Sequence, residues 1–217
     1  MIDLVRPESV YYASGKVDAA RPFPATKRVF DLLFAFLVSL FVLSWLIPLI
    51  GLLIRLESRG PILFVQMRTG RNNRPFPCLK FRTMRFDLKA EFKQAQKNDP
   101  RVTRIGAFLR KTNLDEMPQF LNVLAGHMSI VGPRPHAIQH DAQFFHRIDN
   151  YSNRYSTKPG ITGVAQTRGH RGETCLQDMQ HRVRLDLWYI RNQSLGLDLK
   201  ICWWTVAKML KGDEKAW

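Results

Sequence analysis

Two adjacent carboxylates, Asp115 and Glu116, are the main candidates for chemistry in this sequence. Neighbouring side chains on a helix diverge by about 100°, because an α-helix has about 3.6 residues per turn. The two carboxylates therefore need not share one proton and can hold separate roles. The structural alternative is a capping box, with Asn113 as the N-cap residue and Glu116 at the third helical position. Taken alone, the residue pattern favours the cap, whereas the motifs described below favour chemistry.

Four basic residues lie in or beside short, unusual strings, and we expect them to bind substrate phosphates: Lys80, Arg82, Arg110 and Arg134. Phosphoryl chemistry requires positive charge near the reacting oxygens. Arg134 is the strongest candidate, since the prolines at 133 and 135 fix its backbone and lower the entropy lost when it binds a ligand. The alternative reading of these residues is ordinary solvated charge.

Common nucleotide- and metal-binding signatures are missing from the sequence. There is no G-x-x-x-x-G-K-[ST] loop, no G-x-G-x-x-G after a strand and no Asp-x-Asp pair. The histidines have no metal-ligand spacing. The cysteines, with no Cys-x-x-Cys pair, are predicted to be reduced thiols in a cytosol: Cys78, Cys175 and Cys202.

An uncharged run of 23 residues, 32–54, is long enough to cross a membrane as a helix. Its position and length, and the lack of a cleavage site after it, argue against a signal peptide. Basic residues flank it on both sides: Lys27 and Arg28 before it, and Arg55 and Arg59 after it. Both ends are therefore drawn toward the cytoplasm.

Pro48 removes a backbone donor within this run and leaves the carbonyl of Ser44 without its usual partner. The segment could therefore bend and leave by the face it entered, with Ser39 and Ser44 bonding to freed backbone groups. A kinked helix that spans the membrane is the alternative. These features alone do not decide between the two.

The remaining pattern predicts a compact, mostly helical domain with a few short strands. A strand is expected at 61–65, and helices at 88–96, 105–110, 118–125 and 174–192. Residues 197–211 alternate apolar residues with lysines and contain paired tryptophans, which fits either a helix at the membrane interface or a helix packed on the core. The first 26 residues are expected to form a loosely ordered tail.

Lysine and arginine outnumber aspartate and glutamate by 33 to 18, for a net charge of +15. Such a surface attracts nucleic acid, anionic lipid headgroups or phosphorylated substrates. A membrane-tethered nucleic-acid-binding protein is thus one candidate, although no recognition motif supports it and we expect no nucleic-acid partner. A non-catalytic scaffold protein is another.

Four strings, in order, carry a resemblance to a known family: 80–84 (KFRTM), 109–119 (LRKTNLDEMPQ), 129–135 (SIVGPRP) and 158–163 (KPGITG). Together with the preceding membrane run and with 58–61 (SRGP), they resemble the bacterial sugar transferases, or monotopic phosphoglycosyl transferases. The similarity runs from about Lys27 to the C-terminus.

This resemblance implies a single re-entrant membrane helix, bent around Ser44 and Pro48, on the cytoplasmic face of a bacterial inner membrane. It implies transfer of a sugar 1-phosphate from a UDP-sugar to polyprenyl (undecaprenyl) phosphate, the first membrane step of exopolysaccharide, capsule or glycoconjugate biosynthesis. The non-catalytic alternative is then a scaffold of a polysaccharide assembly complex. Asp115 would be the nucleophile that forms a covalent intermediate. Glu116 would help to hold a magnesium ion, with manganese as the alternative.

The expected architecture is α+β and mostly helical. It comprises a tail (1–26), a re-entrant membrane helix (27–59) and a cytoplasmic catalytic domain with amphipathic interfacial helices (60–217), and resembles the family's short form. Two residues depart from the family pattern: Ile47 precedes Pro48 where serine is common, and Val164 stands where many members have tryptophan. Anionic membrane lipids are expected partners. The sugar, the nucleotide, the polysaccharide pathway and a homo-oligomeric state are left open by the sequence.

Overall fold

The computed structural model describes residues 23–86, 99–169 and 175–211. These residues are mostly helical with two small sheets, as the α+β prediction requires. The predicted tail, up to residue 22, and the helix predicted at 88–96 lie outside the described residues. The helices are α1 (Ala25–Val38), α2 (Ser44–Glu57), α3 (Arg104–Lys111), α4 (Gln119–Leu124), α5 (Ile138–Phe144), α6 (Val164–Thr167), α7 (Leu176–Arg191) and α8 (Leu195–Lys211).

The predicted membrane segment is one helical unit, Ala25–Glu57, whose most apolar window has a mean hydropathy of 2.6 and which is long and apolar enough to cross a membrane. A π-helical turn, Ser39–Leu43, separates α1 from α2, and the N–H of Ser44 donates to the carbonyl of Ser39. Such turns, like prolines, are common causes of helix bends. Pro48 lies inside α2, one turn further along. The helical pattern thus changes at Ser39–Leu43, before the proline, and the bend expected at Pro48 stays a prediction.

The predicted serine contacts are only partly correct. Ser44 Oγ donates to the carbonyl of Leu40 at 2.7 Å, because a serine hydroxyl readily reaches the carbonyl four residues earlier on its own helix. This is not the carbonyl that Pro48 frees. Ser39 Oγ has no hydrogen-bond partner in the described part of the chain, so the prediction for Ser39 is wrong.

After α2, an antiparallel hairpin is formed by β1 (Leu63–Thr69) and β2 (Pro75–Phe81), with Leu63 opposite Phe81. The predicted strand is confirmed but begins later and extends to Thr69. The sequence did not predict β2, which contains prolines at 75 and 77. The N–H of Leu79 points away from β1 and donates to Asn122. The prolines at 75 and 77 occupy the equivalent alternate positions of the strand, so their missing N–H groups remove no hydrogen bond between β1 and β2.

The second sheet is a parallel pair of short strands, β3 (Ser129–Val131) and β4 (Gly160–Thr162). It places two of the four sequence strings side by side. Gly132 continues from β3 at a close backbone approach, where a Cβ atom would lie 2.5 Å from the carbonyl oxygen of Lys158. The glycine is therefore required by the pairing of the two segments.

Both halves of the membrane helix pack on the rest of the domain, α1 against α4 and β3, and α2 against α3. Leu43, Leu46, Ile50 and Ile54 are buried in one cluster with Phe81 and Leu109. Further apolar side chains of the same helix are exposed: Leu33, Phe36, Leu37, Leu40, Phe41, Trp45, Leu49, Leu52, Leu53 and Leu56. The helix thus has one face on the domain and another that is apolar and uncovered.

Helices α3, α4 and α7 confirm the predictions at 105–110, 118–125 and 174–192. The C-terminal helix packs on the core, as one of its two alternatives requires, and its place at the membrane interface stays a prediction. On α8, Ile201 is fully buried in the core, whereas Trp203 and Trp204 are 71% and 45% exposed.

Candidate active site

Asp115 and Glu116 lie on a short turn between α3 and α4. Asn113 adopts a left-handed conformation, with φ of 57°, and ends the run from α3; a single 3₁₀ turn, Leu114–Glu116, follows. Pro118 then opens α4, as the sequence predicted. In a 3₁₀ turn successive side chains diverge by about 120°, so the two carboxylates leave the backbone in different directions.

The capping-box alternative is wrong for this turn. Asn113 makes no side-chain capping bond at the start of the turn. Both side-chain oxygens of Glu116 accept hydrogen bonds from Lys80 and Arg134. Glu116 is therefore committed to basic side chains that are distant in sequence.

Lys80 reaches the carboxylates from the end of β2. Its Nζ lies 2.8 Å from Oε1 of Glu116 and 3.7 Å from Oδ2 of Asp115. Asn122 on α4 fixes this strand, because its side chain accepts from the N–H of Leu79 at 2.9 Å and donates to the carbonyl of Pro77 at 2.7 Å. The helix that follows the acidic turn thus also holds the strand that carries Lys80.

Arg134 approaches the carboxylates from the loop that follows β3. Its Nη2 donates to Oε1 of Glu116 at 2.5 Å, and its Nη1 donates to Oε2 at 3.1 Å. This two-point geometry is the strong form of an arginine–carboxylate pair. The two carboxylates, Lys80 and Arg134 therefore form one cluster built from three sequence strings.

Arg110 and Arg82, the other predicted phosphate ligands, lie in different surroundings. Arg110 is half-buried, its Nε donates to Oγ1 of Thr83 at 2.9 Å, and its charge acts on Asp115. Arg82 instead donates to the carbonyls of Ser58, at 2.7 Å, and Arg59, at the end of α2. Neither carboxylate is among the hydrogen-bond partners of Arg82.

The two carboxylates differ in their freedom to react. Glu116 accepts three charge-assisted hydrogen bonds, whereas Asp115 accepts none from the described residues and has only the ion pair with Lys80. Its side chain is 13% exposed. The carboxylate oxygens of Asp115 are therefore not engaged in hydrogen bonds with the described residues, whereas both oxygens of Glu116 are.

Their protonation differs in the same sense. Burial raises the pKa of Asp115 above its ordinary value, and Lys80 opposes only part of that effect. Burial also opposes ionisation of Glu116, but Arg134 and Lys80 outweigh it and hold the pKa of Glu116 well below its usual range. The surroundings thus favour the ionised form of Glu116, whereas burial disfavours the ionised form of Asp115.

Within the described residues, no cluster of three or more histidine, cysteine, aspartate or glutamate side chains could hold a metal by itself. Magnesium does not require one, since it commonly binds one or two carboxylates and takes its other ligands from water and substrate phosphates. The oxygen-only donor set of Asp115 and Glu116 fits that pattern. Lys80 and Arg134 already balance the negative charge of Glu116, and a bound metal ion could take over part of that role.

Several residues that shape the site were missed at the sequence level. In the sequence, Asn122 stands out only as a polar residue among the apolar residues of α4, and the structure shows that it is buried. Arg68 and Arg154, which lie outside the quoted strings, donate to backbone carbonyls around Arg134. Only the three-dimensional pairing of the strands could have identified these arginines.

The two departures from the family pattern are also placed by the structure. Val164, the first residue of α6, is 2% exposed and packs in the main core. Ile47 packs against the cluster that α2 shares with α3. Both side chains therefore contribute to apolar packing.

Comparison with known proteins matches this architecture to one family. Residues 23–212 match the family described as bacterial sugar transferase. The UDP-glucose:undecaprenyl-phosphate glucose-1-phosphate transferase of Escherichia coli (strain K12) is 48% identical over 184 residues, which cover 84% of this chain and 39% of that protein. The chain thus spans about two fifths of the length of this relative.

Other relatives differ in length and in the sugar they are named for. The exopolysaccharide production protein PSS of Rhizobium leguminosarum bv. phaseoli is 46% identical over 190 residues, covering 85% of this chain and 94% of that protein. The UDP-N-acetylgalactosamine-undecaprenyl-phosphate N-acetylgalactosaminephosphotransferase of Aeromonas hydrophila is 40% identical over 188 residues, covering 86% and 44%. Given these matches and the extent of the family match, the chain belongs to the bacterial sugar transferase family.

Proposed function

We propose that the chain transfers a sugar 1-phosphate from a UDP-sugar to undecaprenyl phosphate through a covalent intermediate on Asp115. The observation that carries this proposal is the unequal pair: among the described residues Asp115 has an ion pair with Lys80 but accepts no hydrogen bond, while Glu116 is held by Arg134 and Lys80. The names of relatives in which undecaprenyl phosphate accepts glucose 1-phosphate or N-acetylgalactosamine phosphate support the reaction class.

In the first step, a carboxylate oxygen of Asp115 attacks the sugar-bearing phosphorus of the UDP-sugar. An O–P bond forms, and the bond from that phosphorus to the bridging oxygen of the diphosphate breaks. The electron pair leaves with the bridging oxygen as uridine monophosphate. In the second step, an oxygen of undecaprenyl phosphate attacks the same phosphorus, which releases Asp115 and gives undecaprenyl-diphosphate sugar.

The basic residues make this attack feasible, because a carboxylate and a diphosphate repel each other. Lys80 and Arg134 lie at the carboxylates, and Arg110 adds positive charge near Asp115. We assign these three to neutralising the reacting phosphates. Arg82 remains a weaker candidate for that role, since its guanidinium is bonded to the end of α2.

Magnesium, held by Glu116 with Asp115 close by, would neutralise the diphosphate and favour departure of the monophosphate. Glu116 is suited to this role because its pKa is held low, so that it stays ionised. Lys80 and Arg134 would then be shared between Glu116 and the substrate phosphates.

We further propose that the membrane helix is re-entrant and that the catalytic domain lies on the cytoplasmic face of the inner membrane. Polar contacts tie both ends of the helix to the same domain. Near its start, Lys27 pairs with buried Asp198 at 2.7 Å. At its end, the carboxylate of Glu57 accepts from the N–H groups of Arg104 and Ile105, at 2.6 and 2.9 Å.

A straight helix of 33 residues would be about 50 Å long, more than the roughly 30 Å of a hydrocarbon core. If it spanned, one of these two sets of contacts would have to lie on the side away from the domain. In the re-entrant arrangement, the π-helical turn at Ser39–Leu43 and the proline at position 48 would supply the bend that keeps both ends on one side. The exposed tryptophans of α8 give the domain a second apolar contact with the membrane surface.

Intact-protein mass spectrometry tests the central step. Incubation with the correct UDP-sugar, without lipid acceptor, should add the mass of one sugar phosphate to the chain. The Asp115→Asn variant should show neither the adduct nor turnover, while a thermal melt shows that it is folded. Glu116→Gln should retain some adduct formation at high magnesium. An adduct that persists in Asp115→Asn would remove Asp115 as the nucleophile, and turnover without Asp115 and Glu116 would remove the proposed mechanism.

A further inference from the structure

The loop that carries Arg134 is held along its whole backbone. Four successive carbonyls accept a hydrogen bond from a residue distant in sequence: Pro133 from the N–H of Gly160 at 2.9 Å, Arg134 from Arg154 at 2.9 Å, Pro135 from Arg68 at 2.7 Å, and His136 from the N–H of Thr69 at 3.3 Å. Loops normally leave many such groups to water. Here the backbone of the active-site arginine is fixed by protein donors.

Arg154 is the most deeply buried side chain among these donors. It lies on a 3₁₀ turn, Tyr151–Ser156, and is 1% exposed. Its Nη2 donates both to the carbonyl of Arg134 and to Oδ2 of Asp186 on α7, the latter at 2.8 Å, and its Nε lies 3.2 Å from the same oxygen. Aromatic rings flank the guanidinium, with centroids 5.2 Å (Tyr151) and 5.6 Å (Tyr155) from its central carbon.

We propose that Arg154, anchored by Asp186, is a positioning residue that fixes the main chain of Arg134 and so orients the Arg134 guanidinium on Glu116. This inference rests on the proposed function, because it assigns Arg154 to the same active site. The chain of contacts runs from α7 through Arg154 to the backbone of Arg134, and from the Arg134 side chain to the carboxylate pair.

The energetics favour a positioning role over simple stabilisation. Burying an ion pair costs several kcal/mol of desolvation, and well-packed apolar residues often replace such a pair at no loss of stability. An apolar pair, however, could not donate to the carbonyl of Arg134. The planar fork of arginine can bond that carbonyl and Asp186 at once, which the single nitrogen of lysine does far less well.

The decisive variant is Arg154→Lys, which keeps the charge beside Asp186 but loses the fork. The single-turnover rate of adduct formation, measured well below the melting temperature, should fall by about tenfold or more, as expected for a small displacement of a catalytic group. If Arg154→Lys does not fold, the double variant Arg154→Leu/Asp186→Leu removes both buried charges together, and the same loss is expected.

Val183→Ala is the matched control. Val183 is on α7, 2% exposed and purely apolar, and it packs in the cluster that contains Tyr151 and Tyr155. Its truncation therefore weakens the packing around Arg154 but removes no hydrogen bond to the Arg134 loop. A folded Val183→Ala protein with a comparable fall in melting temperature should retain the wild-type rate. An equal loss of rate in this control would show that Arg154 acts only through stability, and would overturn the proposal.

A double-mutant cycle with Arg134→Lys further separates a positioning role of Arg154 from an effect through stability alone. If Arg154 acts through Arg134, the loss caused by Arg154→Lys should largely disappear when Arg134 is already lysine. Fully additive losses would contradict a positioning role.

Crystal structures of the wild-type chain and Arg154→Lys provide a readout that does not depend on activity. We expect the Arg134 guanidinium to leave its two-point contact with Glu116 in the variant, and an unchanged contact would overturn the inference. A wild-type chain that forms no adduct with any UDP-sugar would instead overturn the proposed function, leaving the crystal structures to decide the positioning claim.

Discussion

The Nζ of Lys80 lies 3.7 Å from Oδ2 of Asp115, close enough for an ion pair but too far for a hydrogen bond. The same nitrogen donates to Glu116 at 2.8 Å. Lys80 therefore stabilises the ionised form of Asp115 through charge without covering its oxygen. A nucleophilic carboxylate needs both conditions, ionisation and access.

The first prediction concerns pH. Burial raises the pKa of Asp115 and Lys80 lowers it, so adduct formation should increase from acidic pH as Asp115 ionises. Lys80→Met removes a positive charge, which disfavours the carboxylate, raises the pKa of Asp115 further and moves the acid limb to higher pH. Single-turnover rates from pH 4 to 9 would measure the shift.

Arg147→Gln is the control for this experiment, because it also removes one positive charge but from an exposed position. Its pH profile should match that of the wild type. An acid limb that stays in place in Lys80→Met would show that Asp115 ionisation does not control the step.

The second prediction concerns the shape of Arg134. Arg134→Lys keeps the charge but cannot make the two-point contact with Glu116. We expect kcat/KM to fall by roughly 10²-fold, the usual cost of removing one preorganised donor to reacting oxygens. A steady-state assay measures this directly. If kcat/KM of Arg134→Lys stays within about threefold of the wild-type value, a point charge at this position is enough, and the two-point contact is not required.

Local patterns predicted more of the fold than of the site. Helices α3 and α7 follow from apolar periodicity and from caps close in sequence, such as Thr103, whose hydroxyl accepts from the N–H of Gly106. Strand β2 was missed because its prolines oppose strand formation, and only pairing with β1 shows that their positions are tolerated. Local rules fail where a long-range partner decides the outcome.

The site shows the same division. Asp115 and Glu116 were recognisable as an acidic pair, and the prolines around Arg134 indicated a fixed backbone. Asn113 looked like a cap in sequence, but its left-handed conformation turns the chain so that Glu116 meets Lys80 and Arg134. The distinct surroundings of the two carboxylates depend on contacts between β2, α4 and the β3 loop, which no single segment encodes.

The third prediction concerns the metal. Activity should be lost on chelation and restored by magnesium, with manganese as a substitute, because the diphosphate together with Asp115 and Glu116 carries more negative charge than Lys80, Arg110 and Arg134 can balance. Glu116→Gln should raise the magnesium concentration needed for half-maximal rate. Titration of the metal-free enzyme measures both effects. Full turnover after exhaustive chelation would remove Glu116 as a metal ligand.

The fourth prediction separates Arg82 from the other basic residues. Arg82→Gln leaves the carbonyls of Ser58 and Arg59 without their charged donor, so the free energy of unfolding should fall by about 1.5–3 kcal/mol. KM for the UDP-sugar should change little. Arg110→Gln is the comparison, since its charge acts on Asp115. Thermal melts measure the stability of both variants, and Michaelis curves measure their KM for the UDP-sugar. A large increase of KM in Arg82→Gln would show that Arg82 binds the substrate phosphates.

The last prediction concerns the topology of the membrane helix. Single cysteines at positions 25 and 59, both exposed, would be placed in a background that lacks Cys78, Cys175 and Cys202. If both ends lie in the cytoplasm, a membrane-impermeant thiol reagent should label neither cysteine in intact spheroplasts and both after permeabilisation. The physical reason is that Lys27–Asp198 and Glu57–Arg104 bind the two ends to one domain.

Pro48→Ala provides the matched variant for this topology test. It restores a backbone donor to the carbonyl of Ser44 and should favour a straighter helix. Straightening moves the ends apart, so we expect one cysteine to become labelled in part of the population and activity to fall in the same proportion. Labelling of only one cysteine in the protein with Pro48 would instead establish a spanning helix. In that case one of the two sets of end contacts could not form in the membrane, and the re-entrant arrangement would be abandoned.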